Sequence, residues 1–171
     1  MKYLISAIIF ALPLLIGTVP AARADYAAGL RAYGQRDYDT AVRLLKADGG
    51  ADAAYLLGIM YYRGDGVKAD KAEAVRWLRR AADTGHVRAQ NNLGMMYDKG
   101  DGVPQDQKEA AAWYRKAAEK GHAPSQFDLG LMYTNGEGVA KDHAEAVKWL
   151  RKAAKQGHVN ARKLLNVMGE R

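Results

Sequence analysis

The sequence realigns on itself at a shift of 36 residues, and this repeat constrains its fold more than any other feature. The shift needs no gap and brings residues of the same type into register. The matched sets are Gly58, Gly94 and Gly130; Tyr61, Tyr97 and Tyr133; Trp77, Trp113 and Trp149; and His86, His122 and His158. A period of this length is typical of solenoids, in which each unit buries its apolar face only against its neighbours.

Each unit is predicted to contain two helices joined by a glycine-rich turn. Residues 89–99, which include Leu93, and residues 107–120, which include Trp113, carry apolar or small residues three and four positions apart. This spacing defines one face of a helix. A Gly-x-Gly-Val turn separates the two segments, and Gly121 fits a left-handed helix end. The pattern predicts an all-α fold.

The recurring pattern reads Leu-Gly-x-x-Tyr-x-x-Gly-x-Gly-Val, then Ala-x-x-Trp, then Ala-Ala and Gly-His, and three copies cover residues 51–157. It resembles the Sel1-like repeat, a relative of the tetratricopeptide repeat. The resemblance implies a right-handed α-solenoid with units at residues 51–86, 87–122 and 123–158. It also implies a scaffold for protein partners in signalling or envelope assembly rather than an enzyme.

The two ends of the repeat region depart from this pattern. In residues 25–50, Gly29 and Ala41 lie 12 positions apart, whereas Gly58 and Ala74 lie 16 apart. The shorter spacing resembles the tetratricopeptide repeat, so this unit is predicted to lack a four-residue loop. Residues 159–171 resemble the first helix of a further unit and mix charged with apolar residues, as expected of a terminal cap.

The first 24 residues are interpreted as a secretory signal peptide. A lone lysine precedes an apolar run of 13 residues, Leu4 to Ile16, and Ala22 and Ala24 suit cleavage before Asp25. A retained membrane anchor is the weaker alternative, because spanning a membrane takes about 20 residues. We therefore expect a mature chain of residues 25–171 that forms one repeat domain in the periplasm, with secretion beyond the cell as the alternative.

Net charge and cysteine content further limit the classes of partner that the sequence predicts. The formal net charge of +7 becomes +5 when Lys2 and Arg23 leave with the leader (7 − 2), which is too mild to indicate nucleic acid. Cysteine is absent, so packing without disulfides must stabilise the fold. A lipoprotein anchor would also need cysteine where Asp25 stands. We expect a monomer with a protein or peptide partner, no nucleic acid and no stable membrane insertion.

The sequence predicts no catalytic residue, cofactor or metal. The Gly-x-Gly motif occurs three times without a preceding strand, so we interpret it as turns at positive φ rather than a phosphate site. The repeated histidines should lie about 10 Å apart, one helix layer, which is too far to share a zinc ion. Some cysteine-rich Sel1-like proteins have been linked to penicillin binding or hydrolysis, but their paired cysteines are absent here.

The repeated small residues and tryptophans are interpreted as structural. Glycine inside a helix costs about 1 kcal/mol relative to alanine, so the glycines of the first helices should permit a close helix crossing. The alanines Ala74, Ala110 and Ala146 fit the same interpretation. The tryptophans should be wedges between units, with ligand stacking as the less favoured alternative.

The predicted partner-binding surface lies on the first helix of each unit. In the tetratricopeptide relatives this helix lines a concave groove, and the resemblance maps that surface by counting from the Leu-Gly pair. The upper row is Tyr26, Tyr55, Asn91 and Phe127; the middle row is Leu30, Ile59, Met95 and Leu131; the lower row is Tyr33, Tyr62, Asp98 and Thr134. We call these residues the groove rows.

The first two units of the groove rows repeat Tyr-x3-aliphatic-x2-Tyr. Tyrosine is a favoured interface anchor because it buries a large area at little rotamer cost. The alternative is that these tyrosines pack against their neighbouring helices. The rows become polar at Asn91, Asp98 and Thr134, so the N-terminal end is expected to bind first.

Basic residues concentrate on the second helices, mixed with Glu73, Glu109 and Glu145. They are Arg76, Arg79, Arg80, Arg115, Lys116, Lys148, Arg151, Lys152 and Lys155. A solvated surface is the default interpretation, and weak attraction to anionic envelope polymers or lipid headgroups is the alternative. The sequence thus favours a periplasmic adaptor, with a secreted effector or host-surface ligand as the second candidate.

Overall fold

The computed structural model describes the backbone of residues 21–170 and the side chains of residues 25–170. Residues 1–20, which hold most of the predicted signal peptide, lie outside the described residues. Within the described part there are nine α-helices and no strand. The helices are α1 (Ala21–Gly34), α2 (Tyr38–Asp48), α3 (Ala51–Arg63), α4 (Lys71–Asp83), α5 (Val87–Lys99), α6 (Gln107–Glu119), α7 (Ala123–Asn135), α8 (His143–Lys155) and α9 (Val159–Val167).

The second helix of each 36-residue unit begins at an aspartate. The carboxylates of Asp70, Asp106 and Asp142 each accept a hydrogen bond from the backbone N–H three residues later. That later residue is a glutamate in every unit, but the backbone N–H of each capping aspartate donates to the carbonyl of Tyr61, Tyr97 or Tyr133 instead of to that glutamate. The caps satisfy N–H groups that have no partner inside the helix, so the start of each second helix is specified locally.

The repeated histidines begin the first helices α5, α7 and α9. Nδ1 of His86, His122 and His158 accepts the backbone N–H three residues later, at 3.1, 3.4 and 3.3 Å. The cap needs the lone pair of a neutral ring. Burial is the main cause that lowers the pKa of His86 and His122, which favours that neutral form. The recurrence of these histidines in the sequence does not by itself indicate this capping role.

Glycines on the first helices allow the two helices of a unit to cross closely. A Cβ placed on Gly58 would lie 2.7 Å from Cγ of Leu78, and Gly94 and Gly130 are as tightly covered, with nearest atoms at 2.6 and 2.8 Å. The expected close crossing is therefore confirmed. Gly29 in the short first unit is covered in the same way, with its nearest atom at 3.0 Å.

The tryptophans pack where adjacent units meet. Trp113 and Trp149 are each 4% exposed. Trp113 lies in one apolar cluster with Leu78 and Leu93, and its indole Nε1 donates to Glu109 at 2.9 Å. The interpretation of Trp113 and Trp149 as wedges is confirmed. Trp77 is half-buried, and its Nε1 has no hydrogen-bond partner among the described residues.

The glycine-rich turn inside each unit packs against the preceding unit. Both glycines have positive φ in every copy, as expected, for example +81° at Gly136 and +65° at Gly138. A Cβ on Gly138 would lie 2.0 Å from the carbonyl oxygen of Gln107, where α6 begins. The second glycine therefore does more than form a turn, because it lets the turn press against the second helix of the preceding unit.

The first unit has the predicted short turn between its helices, and the last helix packs on the final unit as a terminal cap would. Asp37 caps α2 through the backbone N–H of Thr40, and only a short turn separates α1 from α2. At the other end α9 packs on α8, and Ala161 and Leu165 are buried in one cluster with Leu150. Over residues 21–170, no helix has both the length and the apolar character needed to cross a membrane.

Candidate functional site

The groove rows lie on α1, α3, α5 and α7, with unequal exposure. Leu30, Tyr62 and Met95 are 46%, 41% and 38% exposed, which makes them three of the five large exposed apolar side chains in the described residues. Asn91 is 9% exposed, and the other eight side chains are half-buried. The exposed apolar surface is therefore concentrated in the units at the N-terminal end.

Two cavities join groove-row residues of successive units. One has a volume of about 400 Å³, and its lining includes Tyr26, Leu30, Tyr55, His86 and Arg88. The other has a volume of about 200 Å³, and its lining includes Ile59, Tyr62, Leu78, Asn92, Met95, Lys99 and Asp101. The structure thus brings six predicted site residues into two cavities that both use α3 and α5.

The lower-row tyrosines are held by hydrogen bonds to the next turn. The Tyr33 hydroxyl donates to Oδ2 of Asp65 at 2.8 Å, and the Tyr62 hydroxyl donates to Oδ2 of Asp101 at 2.9 Å. Lys71 pairs with the other oxygen of Asp101 at 2.7 Å, and this contact is the main cause of the lowered pKa of that carboxyl. These tyrosines therefore present fixed rings at the surface.

The upper row packs on the histidine caps. Tyr55 stacks on His86 with ring centroids 4.5 Å apart, and Phe127 stacks on His158 at 4.6 Å. Asn91 stands where these aromatics would be, and its Oδ1 accepts a hydrogen bond from the buried Ser125 hydroxyl at 2.8 Å. The alternative interpretation, in which these side chains pack against their neighbouring helices, therefore applies to much of the upper row. Asn91 contributes little exposed surface.

The C-terminal half of the groove rows is polar at Asn91, Asp98 and Thr134. The Thr134 hydroxyl donates to the Gly130 carbonyl at 2.8 Å, and Leu131 is half-buried. Burial raises the pKa of Asp98, and Glu137 raises it further. Asp128 was not predicted as a site residue, yet burial and then Asp98 raise its pKa to about 6. Counting from the Leu-Gly pair missed Asp128 because it directly follows Phe127 and so lies about 100° around the helix, outside the stripe that the groove rows form.

Several cations of the second helices lie over tryptophan rings. Nζ of Lys116 is 3.7 Å from the ring centroid of Trp113, and Nζ of Lys152 is 4.2 Å from that of Trp149. Arg76 pairs with Glu73 at 2.8 Å, in an exposed ion pair worth less than about 1 kcal/mol. These contacts support the solvated-surface interpretation, and they also cover the outer faces of the wedge residues.

Metal-ligating residues do not gather in the described part of the chain. No group of three or more histidines, cysteines, aspartates or glutamates there is placed to hold one ion. The repeated histidines instead serve separate helices through Nδ1. The surface that the repeats build is therefore described by its apolar cavities and its charges.

The paired helices and their stacked contacts define an α-solenoid of the tetratricopeptide-like class. The family model of the Sel1 repeat matches residues 51–86, 87–122 and 123–158. The chain belongs to the Sel1 repeat family. Proteins with these repeats generally act as scaffolds for protein–protein interaction.

Solved structures with the same repeats are similar over most of the chain. A protective antigen of uropathogenic Escherichia coli with an SLR fold is 38% identical, with a TM-score of 0.81 over 86% of this chain and 33% of the antigen. A Sel1 repeat protein from Oxalobacter formigenes is 36% identical, with a TM-score of 0.75 over 80% of this chain and 57% of that protein. The chain thus spans between a third and three fifths of these two relatives.

A more distant structure shares the fold alone. The cysteine-rich protein B of Helicobacter pylori is 24% identical, with a TM-score of 0.55 over 80% of this chain and 94% of that protein. A comparison with curated proteins found no match. The all-α solenoid predicted from the repeat is confirmed by the helix arrangement, the family match and these structures.

Proposed function

We propose that the chain is a non-catalytic periplasmic adaptor that holds a peptide or a partner domain against its groove rows. The observation that carries this proposal is the pair of cavities between α1, α3 and α5, whose linings include Leu30, Tyr62 and Met95, the most exposed groove-row side chains. Exposed apolar residues beside concave space are the usual anchor points of protein interfaces.

Preorganisation supports the same surface. The hydroxyl of Tyr62 is bonded to Asp101, and the ring of Tyr55 is stacked on His86. A partner that packs on these rings loses little rotamer entropy from the adaptor, because neighbouring units already hold them. The first three units therefore offer a rigid apolar strip rather than a flexible one.

A second candidate is a ligand that acts beyond the periplasm. The similar structure from uropathogenic Escherichia coli is described as a protective antigen, and this favours exposure of such repeats outside the cell. Both candidates use the groove rows as the contact surface and differ only in where the partner is. A penicillin-binding or hydrolysing enzyme is the least favoured candidate, because the paired cysteines of the Sel1-like proteins linked to that activity are absent from this sequence.

Replacing the two most exposed aliphatic groove-row residues should weaken capture strongly while the fold persists. We expect the double variant Leu30→Ser and Met95→Ser to bind a partner isolated from envelope extracts at least 30-fold more weakly, since hot-spot anchors are worth about 2 kcal/mol or more. Surface plasmon resonance with the purified partner would measure the loss. Circular dichroism should show unchanged helix content.

The matched control removes exposed apolar side chains outside the groove rows. Val159 and Val167 are 54% and 84% exposed and lie on α9. The double variant Val159→Ser and Val167→Ser should keep full affinity. If it loses the partner and the groove variant does not, the binding surface is the terminal cap and the proposal is wrong.

Export is tested separately from binding. Because the apolar run and the small residues before Asp25 fit a cleaved leader, periplasmic protein should begin at Asp25 when its N-terminus is read by mass spectrometry. A second fraction in the culture medium would favour the secreted alternative. An intact Met1 in the cytoplasmic fraction would contradict export.

A further inference from the structure

A polar cavity lies where α4, α5 and α6 meet. Its volume is about 510 Å³, and its lining includes Asp83, Gly85, Gln90, Lys116 and Lys120. We call it the junction cavity. None of its lining residues belongs to the groove rows, so what it binds is independent of the partner capture proposed above.

Gln90 has an unsatisfied hydrogen-bond acceptor at the junction cavity. Its side chain is 3% exposed, and its Nε2 donates to the carbonyl oxygen of Ala82 at 3.0 Å. This bond fixes the orientation of the amide, because the exchanged orientation would place Oε1 against that carbonyl oxygen. Oε1 is buried and has no hydrogen-bond partner among the described residues. Since buried polar atoms normally have a partner, this oxygen indicates a site for a donor.

The next junction shows how the equivalent oxygen is satisfied. Gln126 stands one repeat after Gln90, and its Nε2 donates to the carbonyl oxygen of Ala118 at 3.0 Å in the same way. Its Oε1 accepts a hydrogen bond from Nε2 of Gln156 at 2.8 Å. The same nitrogen also donates to the carbonyl oxygen of Gly121 at 2.9 Å. One carboxamide NH₂ thus uses its two hydrogens to bridge a glutamine oxygen and a backbone carbonyl.

A lysine replaces the bridging glutamine at the junction cavity. Lys120 stands one repeat before Gln156, and both residues end a helix with nearly the same backbone angles, φ −83° and ψ 7° against φ −87° and ψ 7°. Nζ of Lys120 donates to the carbonyl oxygen of Gly85 at 2.7 Å but forms no bond with Gln90. The lysine side chain is exposed. A single exposed hydrogen bond contributes little, so a ligand that forms two bonds can displace it.

We propose that the junction cavity binds a carboxamide, the group that glutamine and asparagine carry. Its NH₂ takes the place that Gln156 has one repeat later and bridges the Gly85 carbonyl oxygen and Oε1 of Gln90. Its own oxygen accepts a hydrogen bond from the displaced ammonium of Lys120. A hydroxyl has one hydrogen and a carboxylate has none, so neither group makes both bonds. The ammonium of Lys120 itself reaches only one of the two acceptors.

The test uses a small probe of defined chemistry. N-acetyl-glutamine N-methylamide is titrated into the ¹⁵N-labelled protein at neutral pH. The matched control is N-acetyl-glutamate N-methylamide, which has nearly the same shape but an ionised side chain without a donor. We expect saturable shifts of the Gln90 side-chain amide and the Gly85 backbone amide with the glutamine probe and none with the control. Equal shifts with both probes, or no saturable shift with the glutamine probe, would overturn the proposal.

Free glutamine distinguishes two sources of the carboxamide. Asp83 and Lys116 carry opposite charges at the junction cavity, where the ammonium and carboxylate of a free amino acid would find partners. Free glutamine that binds at least about tenfold more tightly than the capped probe indicates a free amino acid as the ligand. A smaller difference indicates a side chain on a partner chain. Both results require the bridge between Gly85 and Gln90.

The variant Lys120→Gln should close the junction cavity to the probe. It recreates the arrangement of the next junction, so the protein's own carboxamide would bridge the two acceptors. We expect probe binding to weaken at least about tenfold, because the ligand loses two hydrogen bonds, and the urea midpoint to rise. Lys163→Gln removes the same charge from an exposed position on α9 and should change neither quantity. Undiminished binding in Lys120→Gln, or equal weakening in both variants, would overturn the proposal.

The reverse variant Gln156→Lys should create a second site. It removes the donor that Oε1 of Gln126 now has and leaves a lysine to hold the Gly121 carbonyl oxygen. We expect the glutamine probe to shift the Gln126 side-chain amide in addition to that of Gln90, and circular dichroism should show unchanged helix content. A folded Gln156→Lys protein without the second set of shifts would contradict the role given to the bridging amide.

Discussion

Replacing Trp113 with alanine is expected to lower the free energy of unfolding by about 3 to 5 kcal/mol, as for other buried tryptophans. The side chain is 4% exposed and packs with Leu78 and Leu93 where two units meet. Its removal would leave a cavity and an unpaired Glu109. Because the units bury their faces only against each other, the loss should affect the whole cooperative transition.

The measurement is urea unfolding followed by circular dichroism. The matched control is Trp77→Ala at the equivalent position, which should cost less because Trp77 is half-buried and its Nε1 has no partner among the described residues to lose. If Trp113→Ala keeps the wild-type midpoint, Trp113 is not a wedge between units.

Gly138→Ala should be nearly as damaging although it adds a single methyl group. At a φ of +65° an L-residue is strained, and the new Cβ would lie 2.0 Å from the carbonyl oxygen of Gln107. Strain in the left-handed region and overpacking together should cost about 2 to 5 kcal/mol. The turn cannot relieve the clash without moving away from α6.

Gly157→Ala separates the two contributions. Gly157 has a φ of +90°, and an added Cβ would meet nothing within 4 Å. Only the backbone strain of about 1 to 2 kcal/mol should then remain. Chemical denaturation of both variants would measure the difference, and equal losses would show that the contact of Gly138 with the preceding unit is not tight.

The candidate site could be predicted only in part. Counting from the Leu-Gly pair selected Leu30, Ile59 and Met95, because the helical period assigns residues to faces whatever they contact. The same count included Asn91, which the structure buries against Ser125. It omitted Asp128, whose environment depends on Asp98 in the neighbouring unit. Face membership follows from local sequence, but burial depends on residues one repeat away.

The repeated histidines also show one feature that the sequence predicts and another that only the structure reveals. Their recurrence every 36 residues was visible, and their spacing argues against a shared zinc site. That Nδ1 caps a helix depends on the backbone angles just before α5, α7 and α9, which place the ring over the N–H three residues later. Histidine is not among the preferred capping residues, so propensity alone did not indicate this role.

The sequence by itself determined the helix pairs, the repeat period, the short first unit and the terminal helix, because capping, glycine turns and apolar spacing act within about four residues along the chain. The tertiary structure decided which groove-row residues are exposed, which glycines press on the preceding unit and which groove-row rings stack on the histidine caps. Those properties arise between units, so their physical cause is packing and electrostatics across residues far apart in sequence.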